Sequence, residues 1–159
     1  MVIYLGICGN SMQLTELVQD FTAEKIAFSI PEGIGAIYLY GSTVTGRFRE
    51  ESDIDIAILP LHDIADEEKL VLIAKIEGLV SKMLKKKGIS REVSIVDLRG
   101  RFIPLTLQYK IVTEGILLYE RNAVERGEFE NALKREYFDF IPYLEYLRER
   151  KYGNLRSKV

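Results

Sequence analysis

The sequence contains one cysteine, Cys8, and one histidine, His62, in 159 residues. A single cysteine excludes an intramolecular disulfide. A single histidine beside it excludes a Cys/His zinc cluster, so any metal chemistry must use oxygen ligands. A Ser-His-Asp arrangement would have to run through His62, which follows Pro60 in an expected loop and reads as a surface residue. Basic excess is also missing: 22 Lys+Arg stand against 24 Asp+Glu, a formal net charge of −2. That balance argues against non-specific binding to nucleic acid, and no direct DNA contact is expected. Long apolar runs are absent. The opening MVIYLGICGNSM has no Lys or Arg ahead of its apolar stretch, which is short for a membrane span. A cytoplasmic protein without membrane contact is therefore expected. Nothing repeated, low-complexity or linker-like divides the chain.

What remains is 47% hydrophobic and 29% charged, the composition of an ordinary globular protein. At this length one domain should bury roughly 70% of the surface that the unfolded chain exposes. Residues 2–8 alternate β-branched and aromatic with small residues, which predicts a short strand in an N-terminal extension over residues 1–11. From Met12 to about Phe28, Leu14, Leu17, Val18, Phe21 and Ile26 recur at helical spacing behind a cap at Asn10 or Ser11. After Pro31-Glu32-Gly33, the segment IGAIYLY, residues 34–40, is too short for a helix and predicts a buried strand ending at Gly41. DIDIAIL, residues 53–59, predicts a second strand, with Asp53, Asp55 and Ala57 on one face and Ile54, Ile56 and Ile58 on the other.

Residues 66–87 begin with Asp66, Glu67 and Glu68 and end with Lys85, Lys86 and Lys87 before Gly88, the order that a helix dipole and C-cap favour. REVSIVDL, residues 91–98, predicts a third strand. Phe102 to Glu114 predicts a helix entered near Pro104, and ILLY after Gly115 predicts a fourth strand. From about Ala123 the chain reads as helix again, with Leu133, Tyr137, Phe140, Leu144 and Leu147 forming one stripe and Pro142 expected to kink or divide it. Strands separated by helices indicate an α/β (α+β) fold: a small mixed sheet flanked by helices. Residues 12–120 form the domain body, and 121–159 form a C-terminal helical tail of the same domain.

The chemistry concentrates between residues 41 and 55. Asp53 and Asp55 share a face roughly 6.5 to 7 Å apart at their Cα atoms. Two like charges so close are unfavourable unless a cation sits between them, and Mg²⁺ takes carboxylate oxygens while filling its other positions with water and phosphate. An Asp-x-Asp alone more often does no more than start a strand in solvent. Here it follows a strand that ends in Gly41-Ser42. Gly41 permits a sharp turn, and a helix starting near Ser42 would offer free amides and a hydroxyl to a phosphate. One turn would hold the phosphates while the next strand holds their metal.

GSTVTGRFREESDIDIAIL, residues 41–59, resembles the signature of the minimal nucleotidyltransferases of the DNA polymerase β superfamily, in particular the MNT-type proteins that pair with HEPN toxins. VSIVDL, EGILLYERN and REYFDFIPYLEYLRER extend the resemblance over most of the chain past its first dozen residues. The resemblance implies a polymerase-β-like nucleotidyltransferase fold and transfer of AMP from ATP, with Mg²⁺ or Mn²⁺, onto a hydroxyl, a tyrosine of a HEPN toxin partner. It implies that Gly41 and Ser42 bind the nucleotide's β- and γ-phosphates and that Asp53 and Asp55 are the catalytic metal ligands. An antitoxin that forms a homo- or hetero-oligomer is consistent with it.

The pattern departs from the family at its third carboxylate, since two-metal transfer uses an acid on a neighbouring strand. That position holds Ser94, and Asp97, three residues on, faces the other way in a regular strand and reads as a turn residue. Glu92 lies two residues before Ser94 on its face and is the candidate third catalytic carboxylate, although a solvated residue at the strand's start is an equal reading. Thr45 is a second departure, where many relatives have Arg; Arg47 and Arg49 follow in the same loop and read mainly as solvated charges. Ser94 favours an alternative of another class, a catalytically degenerate antitoxin that neutralises its partner by binding alone. The aromatic residues Phe138, Phe140, Tyr143 and Tyr146 exceed what one helix face needs, and some of them suit an interface. Transfer to a small molecule would need a second domain to shape its pocket, for which this length leaves little room.

Overall fold

The computed structural model describes Thr15 and residues 18–20, 29–47 and 52–156. Thr15 and residues 18–20 are helical, as expected. The predicted N-terminal strand, the remainder of the first helix and Arg49 lie outside the described residues.

Four strands form one sheet: β1 (Ile34–Tyr40), β2 (Ile54–Pro60), β3 (Val93–Asp97) and β4 (Ile116–Glu120), in the order β3-β2-β1-β4. β1 runs antiparallel to both β2 and β4, whereas β2 and β3 are parallel. A parallel pair needs a long crossover. Helix α2 (Asp66–Lys86) supplies it, with three acids in its first turn and Gly88 at φ 71 just past its end. Helix α1 (Ser42–Thr45) is a single turn between β1 and β2; α3 (Leu105–Glu114) follows β3, and α4 (Ala123–Arg156) follows β4.

The β2 alternation works as predicted. Ile54, Ile56 and Ile58 join Ile34, Ile37 and Leu39 on one face, where Leu72, Ile76, Val80, Met83 and Leu84 of α2 cover them. On the other face Ala36, Tyr38, Ala57, Leu59 and Leu98 meet Ile111 and Leu107 of α3 and Phe129 of α4. Each fully buried Ile or Leu contributes roughly 1.5–3 kcal/mol relative to exposure, so the two layers fix the sheet and every residue on it. β3 is shorter than the eight residues its sequence suggests, because it is an edge strand whose length is set by its one partner, β2.

Asn122 caps α4, its side-chain oxygen accepting from the Val124 and Glu125 amides at 3.0 and 3.2 Å. The helix then runs through Pro142 undivided. The expected division does not occur; Pro142 is exposed, and its ring removes one amide donor from the helix. Pro104 occupies the N-cap of α3, which leaves Phe102 in the preceding turn and 97% exposed. His62 is a surface residue, its Nδ1 3.1 Å from Asp63 Oδ1.

Candidate functional site

β1 delivers Gly41 at the end of the sheet where β2 begins. Gly41 has φ 78 and ψ −151, a combination essentially restricted to glycine. A Cβ at this position would run into the Asp55 carboxylate. Glycine is thus required twice, for its backbone and for the space it leaves to Asp55. Val44 and Thr45 donate their amides to the Gly41 carbonyl at 3.1 and 3.2 Å, which closes α1 as a helical turn. The amides that open such a turn have no acceptor within it and point at whatever lies before it. Ser42 is the first residue of α1. Beside it, the Thr43 hydroxyl oxygen is buried without a hydrogen-bond partner. A cavity of about 110 Å³ adjoins this turn, lined by Tyr40, Val44, Thr45, Leu107 and Lys110 among others.

Asp55 lies inside β2, half-buried, opposite Tyr40 on β1 and Ser94 on β3. Asp53 precedes the strand and is exposed. Burial raises the Asp55 pKa above its ordinary value, and the Asp53 charge raises it further. Tyr40 is also raised, by burial first and then by Asp55. Burial is the larger cause of both shifts, and the neighbouring acid adds to each. A hard divalent cation fits this donor set, since Mg²⁺ binds through one or two carboxylates and keeps its other positions for water and phosphate. The Gly41 turn, kept clear of any Cβ, opens α1 next to Asp55.

The strand register puts Ser94 beside Asp55 and leaves it exposed, so the neighbouring-strand position expected to carry a carboxylate carries a hydroxyl. Glu92 is also exposed. Its carbonyl accepts the Ile54 amide at 2.9 Å, and it lines a depression with Glu77, Ser81, Lys85 and Arg91 at the C-terminal end of α2. Asp53, Asp55, Gly41 and Ser42 are brought together; Glu92 lies at the margin. Among the described residues, no three Asp, Glu, His or Cys side chains gather closely enough to hold a metal ion. Asp97 turns away from the pair and accepts the Arg99 amide at 2.7 Å, the turn role its position suggested.

One arrangement near the site escaped the sequence reading. The Tyr38 hydroxyl donates to Glu130 Oε1 at 2.7 Å, and Arg126 donates to Glu130 and Glu120 at 2.7 and 2.6 Å, tying β1, β4 and α4 together. Burial, then Glu130, push the Tyr38 phenol well above its ordinary pKa. The period-two spacing of Tyr38 and Tyr40 on the Asp55 face was the available signal. Nothing local in the sequence names an acid some ninety positions away as the partner of Tyr38.

The polymerase beta nucleotidyltransferase profile matches residues 24–124. A candidate protein adenylyltransferase of Methanocaldococcus jannaschii is 28% identical over 93 residues, 54% of this chain and 91% of that one. A crystal structure of a toxin–antitoxin with AMP-PNP superposes at a TM-score of 0.50 with 22% identity, covering 93% of this chain and 99% of that chain. The tri-AMPylated Shewanella oneidensis HEPN toxin in complex with MNT antitoxin gives 0.47 and 18%, over 92% and 96%. No described helix is long and apolar enough to cross a membrane. The profile match takes in the whole sheet, the Gly-Ser turn and both aspartates, and on that ground the chain belongs to the polymerase beta nucleotidyltransferase family.

Proposed function

We propose that this nucleotidyltransferase moves AMP from ATP onto a hydroxyl of a protein partner, a HEPN-type toxin tyrosine, and so acts as the antitoxin of the pair. The observation that carries the reading is the fit between the Gly41 turn and Asp55 of the Asp53–Asp55 pair, in which a Cβ at residue 41 would take the place of the Asp55 carboxylate. The M. jannaschii relative's name and the AMP-PNP complex of a similar fold agree with it. Bound Mg²⁺ would supply charge neutralisation at the phosphates and acidify the attacking hydroxyl. Asp53 and Asp55 would hold it, and the opening amides of α1 with Ser42 would hold the β- and γ-phosphates. The acceptor oxygen then forms a bond to the α-phosphorus while the bond to the bridging oxygen breaks. Pyrophosphate leaves, and the hydroxyl proton passes to solvent or a carboxylate.

The test is the intact mass of the protein that co-purifies with this chain, before and after ATP and Mg²⁺, beside Asp53→Asn. Gain of one or more AMP masses with the wild type alone is the expected result. A partner that binds both proteins equally and never gains mass would establish the alternative, neutralisation by binding, which Ser94 favours. We further assign Glu92 as an imperfect third carboxylate, since it precedes Ser94 by two residues. Glu92→Gln should lower the transfer rate at least about tenfold, the size of a ligand-supporting effect, and leave thermal unfolding unchanged. Equal rates would remove Glu92 from the site.

A further inference from the structure

The turn between Gly41 and Gly46 consists of Ser42, Thr43, Val44 and Thr45 and carries no charge of its own. Arg47, the residue after it, does not line the cavity beside the turn. A cation reaches that cavity from α3 instead. Lys110 lines it together with Tyr40, Gly41 and Thr45, at the end of β1 where Tyr40 is the cross-strand neighbour of Asp55. Val44 and Leu107 add apolar wall. Lys110 is exposed, and its ammonium has no ion-pair partner among the described residues, although Glu114 stands one turn along the same helix and lines the same cavity. An ammonium on a flexible four-carbon stem beside apolar wall attracts an anion more strongly than one in open water, because the lower local dielectric strengthens the interaction.

We propose that Lys110 binds the phosphate tail of the nucleotide beyond its α-phosphate. The assignment deepens the nucleotidyl-transfer reading and rests on it. In that reading the α-phosphate lies at the aspartates, and the tail passes the Gly41 turn into the space that Lys110 borders. The acceptor oxygen bonds to the α-phosphorus as the bond to the bridging oxygen breaks, and the electron pair of the broken bond leaves with pyrophosphate. Negative charge therefore grows on the tail during transfer. Lys110 keeps its proton throughout and neutralises part of that charge, a contribution that is largest when the bond is breaking. Glu114, of opposite sign on the same cavity, weakens the attraction.

Calorimetric titration of the full chain with ATP in the presence of Mg²⁺ tests the assignment. Lys110→Ala should weaken ATP binding at least about tenfold, the size of a lost charge-assisted hydrogen bond, and Lys110→Arg should keep most of the affinity. Lys75→Ala removes the same charge from an exposed position on α2 and should bind ATP as the wild type does, whereas Glu114→Gln should bind at least as tightly. Added salt should weaken ATP binding more steeply in the wild type than in Lys110→Ala. The melting temperature of Lys110→Ala without nucleotide should match the wild type, since the residue is exposed. A Lys110→Ala protein that binds ATP as tightly as the wild type overturns the assignment and leaves the transfer reading standing. So does a Lys75→Ala protein as weak as Lys110→Ala, which would mean that net charge alone governs binding. A wild type that takes up no ATP overturns the transfer reading and this assignment with it.

Discussion

Asp55→Asn is expected to abolish AMP transfer, by about a thousandfold or more, while raising the unfolding temperature of the metal-free protein at neutral pH. The first effect follows from losing a carboxylate that would hold the metal, worth several kcal/mol in the transition state. The second follows from the sign of the pKa shift. Burial and the Asp53 charge raise the Asp55 pKa in the folded chain above its unfolded value. A raised folded pKa means stability that is present below the unfolded value, near 3.9 for an ordinary aspartate, and lost as pH rises through the folded value. At neutral pH the ionised Asp55 therefore costs stability, and asparagine removes that cost. Thermal unfolding between pH 3.5 and 7.5 should show the wild type approaching the variant at the acid end. Mg²⁺ should raise the wild-type midpoint by mass action and leave the variant unmoved. A variant less stable than the wild type at neutral pH, or one equally responsive to Mg²⁺, would mean that Asp55 is a structural residue.

The same physics explains how much was legible in the sequence. Strand β2 could be read because its face is written in alternation, Asp53, Asp55 and Ala57 against Ile54, Ile56 and Ile58, and the structure keeps that division between its two cores. β1 was bounded by Gly33 and Gly41, and its limits at Ile34 and Tyr40 match the apolar run. Helix α2 carried acids in its first turn, lysines in its last and Gly88 beyond its end. What could not be read was set at a distance. The pairing of Ser94 with Asp55, which the family resemblance anticipated, depends on the register of a parallel strand joined through α2, which no local pattern specifies. At Pro142 the local rule predicts a kink or a division, and the helix is not divided there. Glu92 shares a face with Ser94 by spacing and precedes the regular part of β3, so its role rests on the transfer assay of Glu92→Gln.

The geometry of Gly41 makes it the most sensitive residue of the turn. Gly41→Ala should lower stability by about 1–3 kcal/mol, the cost of a side chain in this backbone region, or about 2–4 °C in melting temperature for each kcal/mol. It should also reduce transfer as severely as loss of the carboxylate, because the new methyl group occupies the space of Asp55 and must displace it. Gly46 supplies the internal comparison. It too has a positive φ, 72, but nothing lies within 4 Å of where its Cβ would be. Gly46→Ala should cost about 1–2 kcal/mol from the left-handed backbone alone. The two variants are thus expected to be similar in melting temperature and far apart in AMP transfer and in Mg²⁺-dependent stabilisation. Equal transfer by both would show that the contact between residue 41 and Asp55 has no part in the reaction, and that Gly41 serves the chain only as a turn.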